Sequence, residues 1–342
     1  MSGQRATYRA AGVDLDAADE AVGRIQPHLQ RTHTAQVLDS ALTGGYGGLY
    51  QLAAGGSRAK PVLVTSTDGV GTKVELARAL GRLDTVGVDL VAMVGNDLVC
   101  AGAEPLVFND HLVVGRLVPD EVERIVAGVA DGCERAGCAL TGGEVAEHPG
   151  SLAPGQFDLA GFGVGVVDAD AMLGPARVRA GDAIVALASS GPHSNGYSLI
   201  RRVTADVDLG ADHGLVAQSL GEALLRPTRV YASDCLALAA ATDVHALCHV
   251  TGGGVPGNLP RGLPEGCGAV VRTATAAVPE VFRVLQRLGG VDEAEMWRVF
   301  NMGMGMLAIV ADAEHACAAL ADRGVDAWAC GEVVAGQGVQ LL

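Results

Sequence analysis

Along this chain, short apolar runs with the period of a strand empty into polar, glycine-rich turns, and helical patterns leave most of those turns. Pro61-Val62-Leu63-Val64 feeds Thr65-Ser66-Thr67-Asp68-Gly69-Val70-Gly71-Thr72-Lys73, and an Ala/Leu-rich helical pattern follows from Thr72 to Leu83. Asp84-Thr85 signals the N-cap of a second helix reaching about Gly102. Pro105 to Leu117 alternates as a strand, Pro119-Asp120-Glu121 opens a helix ending near Gly137, and Cys138-Ala139-Leu140 is a short strand leading into a turn over Thr141 to Gly150. In the strand Phe157 to Val167, Gly161, Gly163 and Gly165 share one face, which must lie against another backbone or a tight subunit contact.

Around Asp168 to Arg179 the pattern breaks, which divides the chain into residues 1–168 and 169–342. The second half opens with a strand, Ala183 to Ala188, that empties into Ser189 to Ser198 ahead of a helix through Arg202. Helices over Leu215 to Leu225 and Arg229 to Ala240 precede a strand over Val244 to Val250. Helices and strands then alternate to the end. Before Lys60 the periodicity is weakest: an extended arm over Tyr8 to Asp19, a short helix over Ala18 to Leu29, and four glycines within Gly44 to Gly48 that form either a plain loop or a cover over a ligand.

Composition narrows the possibilities. A length of 342 residues suits about two domains, and 49% hydrophobic residues with only 4% aromatics means cores of Ala, Val and Leu. A formal charge of −15 excludes a nucleic-acid surface, which needs a basic stripe. No long uninterrupted apolar run suggests a membrane span, so a soluble cytoplasmic protein is expected. The eight cysteines are scattered without a C-x-x-C pair and read as buried reduced thiols.

An acidic protein that binds a nucleotide must offset phosphate charge locally, and residues 65–73 have the layout to do so. Gly69 and Gly71 let the backbone turn with its N–H groups exposed, at the start of a helix. Asp68 offers a ligand for a hard cation and Lys73 a compact charge for phosphate oxygens. Lys73 is conspicuous because only it and Lys60 are lysine among 24 basic residues. On the second helix, Asp89 and Asn96 share a face with Asp97 adjacent; a metal, a substrate or a partner elsewhere in the fold would satisfy them equally. Asn109, Asp110 and His111 interrupt a strand, and Glu144 and Glu147 follow the pair Gly142-Gly143. Ser190, His193, Ser194 and Asn195 stand before a helix, where they form a cap or a ligand contact. Gly252, Gly254 and Gly257 spell a dinucleotide fingerprint, but Pro256 interrupts it and no ribose-binding acid follows at the expected distance. No P-loop motif occurs.

In this order these segments resemble the phosphoribosylformylglycinamidine cyclo-ligases, also called aminoimidazole ribonucleotide synthetases. The resemblance runs from Tyr8-Arg9-Ala10-Ala11-Gly12-Val13-Asp14 through Asp68 to Lys73, Asn96-Asp97-Leu98, Gly102 to Pro105, Gly142 to Glu144, Ser189 to Ser198, Thr251 to Gly254 and Asn301 to Met306. It implies a two-domain α/β (α+β) fold, with an N-terminal sheet joining that of a homodimer mate and a C-terminal mixed sheet with flanking helices. It further implies ATP and Mg²⁺ as cofactors, formylglycinamidine ribonucleotide as substrate, and ring closure to the aminoimidazole ribonucleotide with release of ADP and phosphate. Under the resemblance Asp68, Asp97 and Glu144 hold the metal. Gly69 to Lys73, Asn96, Asn109, Asp110, Gly142, Gly143, Ser190, Ser194 and Asn195 contact nucleotide or substrate, and Lys73, His193 and Glu147 are catalytic candidates. Gln26 stands where family members often have lysine, Val145 where they have threonine, and His148 where they have an apolar residue. Other ATP-dependent enzymes of the superfamily, such as thiamine-phosphate kinases, and a non-catalytic nucleotide-binding protein are the alternatives.

Overall fold

The structure, a computed structural model, describes residues 7, 9, 35–46, 48–52, 59–215 and 218–342. The helix expected over Ala18 to Leu29, Gln26 within it, and nearly all of the expected arm lie outside the described residues. Strands β1 (Val37–Leu38), β2 (Gly48–Gln51), β3 (Pro61–Gly69), β4 (Glu104–Val114), β5 (Ala139–Glu147) and β6 (Phe157–Asp168) form one six-stranded sheet in the order β1-β2-β3-β6-β4-β5. Among the described residues of this sheet only the β4/β5 pair is parallel. Strands β7 (Ala183–Ala188), β8 (Val244–His249), β9 (Cys267–Val271), β10 (Met304–Val310), β11 (Ala327–Ala335) and β12 (Val339–Leu341) form the second, in the order β12-β9-β11-β7-β10-β8. Met302, Met304 and Met306 at the entry to β10 are buried core residues.

The helices that matter for the site are α1 (Lys73–Ala79), α2 (Val86–Cys100), α3 (Pro119–Ala136), α4 (Tyr197–Val203), α5 (Leu220–Leu225) and α6 (Ala232–Ala241). Helix α2 is the keel of the molecule. It packs on β3 and β6 of the first sheet and on β8 and α6 of the second domain, and every residue in it except Asp97 is buried. A helix apolar nearly all round has to be enclosed in this way.

The glycine stripe of β6 serves that enclosure. A Cβ on Gly161 would stand 2.4 Å from the Phe108 ring, and one on Gly163 would stand 2.6 Å from Val94 of α2. The stripe therefore lets α2 settle against its own sheet, so the close neighbour expected for it, another backbone or a subunit, is an element of this chain. Two turns are corrected. Residues 65–69 continue β3 because their backbone pairs with residues 160–164 of β6, so the turn is confined to Val70–Thr72. Residues 141–147 are not a turn but the body of β5, laid parallel to β4. The helix expected from Leu215 begins at Leu220 behind a capping box of Ser219 and Glu222, and the one expected from Arg229 begins at Ala232.

Candidate active site

The polar residues of α2, of residues 68–73 and of residues 189–198 meet where the domains touch. Most of them are spent on one another. Lys73 is fully buried, and its Nζ donates to Asp89 Oδ1 at 2.9 Å, to the His193 carbonyl at 2.8 Å and to the Arg226 carbonyl at 2.9 Å. Asp89 Oδ1 also accepts from Thr228 N at 2.7 Å and Thr228 Oγ1 at 2.6 Å, and the Ser194 hydroxyl lies 3.0 Å from that of Thr228. Burial pushes the Lys73 ammonium below its ordinary pKa and the Asp89 carboxylate pulls it back up. An ammonium with its three protons engaged has none for phosphate, so Lys73 is corrected from a phosphate contact to a buried strut between domains.

Asn96 acts likewise. Its Nδ2 donates to the Arg229 carbonyl at 3.0 Å and its Oδ1 accepts from Tyr231 N at 2.8 Å, which ties α2 to the segment entering α6. His193, expected as an acid or base, is completely buried with φ at +61°. Its Nε2 accepts from Ser190 N at 3.2 Å, so Nδ1 carries the proton, and that N–H has no partner among the described residues. The ring fits only because residue 305 is glycine: a Cβ there would stand 2.5 Å from His193 Cε1. Burial first, then the charges of His249, Lys73 and Arg229, holds the imidazole well below its usual pKa, hence neutral. A neutral ring shut away from solvent packs the seam and does not reach a substrate.

A cleft of about 320 Å³ opens beside this closed network. Its N-terminal wall is Asp68, Gly69, Val70, Gly71 and Thr72, its base includes Met93 of α2, and its far wall is Ser194 to Ser198 with Thr251. Asp68 Oδ1 accepts from Gly69 N at 2.7 Å. Burial, with the nearby Asp97 charge adding to it, raises the Asp68 carboxyl to about 6. Asp97 Oδ1 accepts from His249 Nδ1 at 2.9 Å, which leaves His249 Nε2 facing the Asn96 amide at 3.4 Å. Gly71 N and Thr72 N have no hydrogen-bond partner among the described residues. Asn195 Oδ1 accepts from Gly252 N at 3.0 Å, while among the described residues its amide nitrogen faces only the Met93 sulfur at 3.9 Å. The cleft thus presents the Asp68 carboxyl on one wall, with the Asp97 charge near it, and unspent N–H donors on both.

The residues expected from β4 and β5 do not join it. Asp68 is aligned across the sheet with Gly161, Asp110 and Gly143, so β6 and β4 stand between it and β5, a separation of roughly 14 Å at ~4.8 Å per strand. Glu144 is one residue further on and points to the opposite face of the sheet. Glu147 Oε1 accepts from Leu117 N at 2.8 Å and holds a loop. Asp110 lies on the inner face, its carboxyl raised by burial, where only a glycine at 143 clears its Oδ1. Asn109 accepts from Thr141 Oγ1 at 3.1 Å, and Gly142 lies beside its amide. Ser190 donates to the Pro227 carbonyl at 2.6 Å and lines a different cleft. Among the described residues, no three His, Cys, Asp or Glu side chains form a metal cluster. The sequence reading missed Met93, Thr228 and His249; His249 stands 152 residues from Asp97, and no spacing rule could have paired them.

Residues 51–167 match the family described as AIR synthase related protein, N-terminal domain, and residues 179–342 match AIR synthase related protein, C-terminal domain. The chain is 50% identical over 337 residues to the phosphoribosylformylglycinamidine cyclo-ligase of Anaeromyxobacter sp. (strain Fw109-5), covering 97% of each chain. It is 49% identical, over the same shares of both chains, to the enzyme of that name from Myxococcus xanthus (strain DK1622). Its fold is similar to that of the solved thiamine-monophosphate kinase from Stenotrophomonas maltophilia K279a, with a TM-score of 0.64 at 21% identity over 94% of this chain and 95% of that one.

Proposed function

This chain belongs to the phosphoribosylformylglycinamidine cyclo-ligase family of AIR synthase related proteins, and we propose that it performs the ATP-dependent ring closure for which that family is named. It is an enzyme of the ligase class. The observation that carries the reading is identity of about one-half across nearly the whole of both chains, against 21% to the kinase of similar fold. The formyl oxygen of formylglycinamidine ribonucleotide takes the γ-phosphoryl group of ATP. The substrate nitrogen then attacks the activated carbon, the carbon–oxygen bond breaks with loss of phosphate, and the aminoimidazole ribonucleotide and ADP remain. Activation is needed because an amide oxygen leaves poorly, and positioning with charge stabilisation is what a protein contributes to such a transfer.

The cleft at Asp68 suits the nucleotide. Mg²⁺ is bound by one or two carboxylates together with substrate phosphates, not by an all-protein cage, and it would neutralise charge on the transferring phosphoryl group. Asp68 and Asp97 fit that donor set: Asp97 raises the Asp68 carboxyl, a repulsion that a divalent cation would relieve. Glu144 stays outside this shell within one chain. The N–H groups of Gly71 and Thr72, unpaired among the described residues, and the amide of Asn195 border that cleft and would meet phosphate oxygens. A homodimer in the cytoplasm is part of the same proposal. The outer face of the first sheet, with Phe162 46% and Leu106 40% exposed, supports pairing with a second copy. No helix among the described residues is long and apolar enough to cross a membrane.

Purified protein supplied with MgATP and formylglycinamidine ribonucleotide is expected to yield aminoimidazole ribonucleotide and ADP in equal amounts. Folded protein that forms neither product would sink the assignment.

A further inference from the structure

A second cleft, of about 610 Å³, opens along the same seam and, among the described residues, shares no lining residue with the first. The two are close. Thr228 lines the second, Ser194 lines the first, and their hydroxyls are 3.0 Å apart. Their charges are opposite. Among the described residues Asp68 is the only charged one lining the first cleft, whereas the second is lined by Arg135 from the last turn of α3 and by Arg226 and Arg229 from the extended segment between α5 and α6.

These guanidinium groups are under-occupied. Arg135 has no ion-pair or hydrogen-bond partner among the described residues. Among the described residues Arg226 donates only to a neutral amide, Gln218 Oε1 at 2.9 Å. Arg229 lies 3.5 Å from Asp234, a carboxylate already held at 3.0 Å by Arg323. Helix α6 starts on this cleft, with Ser233 and Asp234 in the lining and no side chain capping its first turn. In a chain of net charge −15, convergence of three arginines with one shared carboxylate marks a place prepared for an anion.

We propose that this arginine-lined cleft binds a phosphate monoester dianion. The seam then holds two anions in separate openings, a metal-bound polyphosphate at Asp68 and a single phosphate at Arg135, Arg226 and Arg229. The identity of the ester rests on the cyclo-ligase reading, under which it is the 5′-phosphate of the ribonucleotide substrate. Inorganic phosphate released by the reaction has the same chemistry and is the other source.

The test is calorimetric titration of the full chain with ribose 5-phosphate, inorganic phosphate and ATP in turn, comparing wild type with Arg135→Gln/Arg226→Gln. Both side chains are exposed, so the variant should fold, which circular dichroism checks. The expected result is a rise of at least tenfold in the Kd of a phosphate ligand, with the Kd for ATP changed less than twofold. Kinetics separate the sources: a tenfold rise in the ribonucleotide KM at nearly constant kcat assigns the site to substrate, and relief of product inhibition by phosphate at constant KM assigns it to product. Equal phosphate affinities in both proteins, or ATP affinity lost in parallel, would overturn the site. Arginine-dependent phosphate binding without any cyclisation would leave the site standing and remove the cyclo-ligase reading. Cyclisation without arginine-dependent phosphate binding would do the reverse.

Discussion

Thr72 and Lys73 are neighbours in the chain and belong to different worlds. Thr72 lines an open cleft with its N–H unspent; Lys73 has no exposed surface, and its ammonium is engaged by three protein acceptors. The same division runs through the second turn, where Asn195 turns an amide to the cleft and His193 is sealed behind it. Both halves are drawn from the same two stretches, and both are polar. What separates them is whether the protein itself completes the hydrogen bonds. A polar group with a full set of internal partners holds the domains together, and one left with unspent donors or a strained carboxylate is where a ligand adds something.

The largest effect expected from this division is on the closed side. Lys73→Met leaves Asp89 as a buried carboxylate without its cation, and loss of one partner from a buried pair costs ~3–5 kcal/mol. Urea unfolding should show that loss. Lys73→Met/Asp89→Asn should recover part of it, because the neutral amide no longer needs a cation and still accepts from Thr228. If the single variant unfolds like wild type, the Lys73–Asp89 contact is not a strut and the closed half of the comparison fails.

The open side should behave in the opposite way. Asp68→Asn removes a carboxylate that burial and Asp97 already disfavour, so the fold should be unharmed while Mg-dependent ATP turnover falls at least ~100-fold, about 2.7 kcal/mol of barrier. Turnover at the wild-type rate would remove Asp68 from the nucleotide site. A matching loss of stability would move it to the closed side of the seam.

Much of this fold is written in local pattern. The helix α2, the strands β3, β4 and β6, and the corner at Asp68 follow from periodicity and glycine placement, since those are properties of neighbouring residues. The roles of Lys73 and His193 are not local. They depend on Asp89, Thr228, Arg226 and Gly305, which arrive from other elements, and a lone lysine after Gly71-Thr72 looks the same whether it meets phosphate or carboxylate. The glycine stripe shows the same limit: its periodicity demands a close neighbour, but only tertiary packing decides that the neighbour is α2 and not another subunit. The cluster of Gly142, Gly143 and Glu144 fails to reach Asp68 because the strand order places β6 and β4 between them, and strand order is the least local fact of all.

The smallest expected effect is also the sharpest, because the two sides should tilt stability in opposite directions over one pH range. His193 is held below its ordinary value, so beneath about pH 6.5 the unfolded chain takes up a proton that the native state refuses; native stability is fully present above that pH and falls as pH drops. Asp68 is raised to about 6 from 3.8, so between those values the native state keeps a proton that the unfolded chain has released, and its contribution is present at low pH and lost as pH rises through about 6. Each slope is at most ~1.4 kcal/mol per pH unit. In metal-free buffer between pH 5 and 6 the two oppose each other in the wild type. His193→Asn, with a residue that tolerates the positive φ, removes the first and should make stability decline more steeply with rising pH than in the wild type. Asp68→Asn removes the second and should tilt it the other way. Urea midpoints at three pH values decide it: variants that shift the slope in the same direction would mean that His193 and Asp68 do not lie on opposite sides of the division between sealed seam and open cleft.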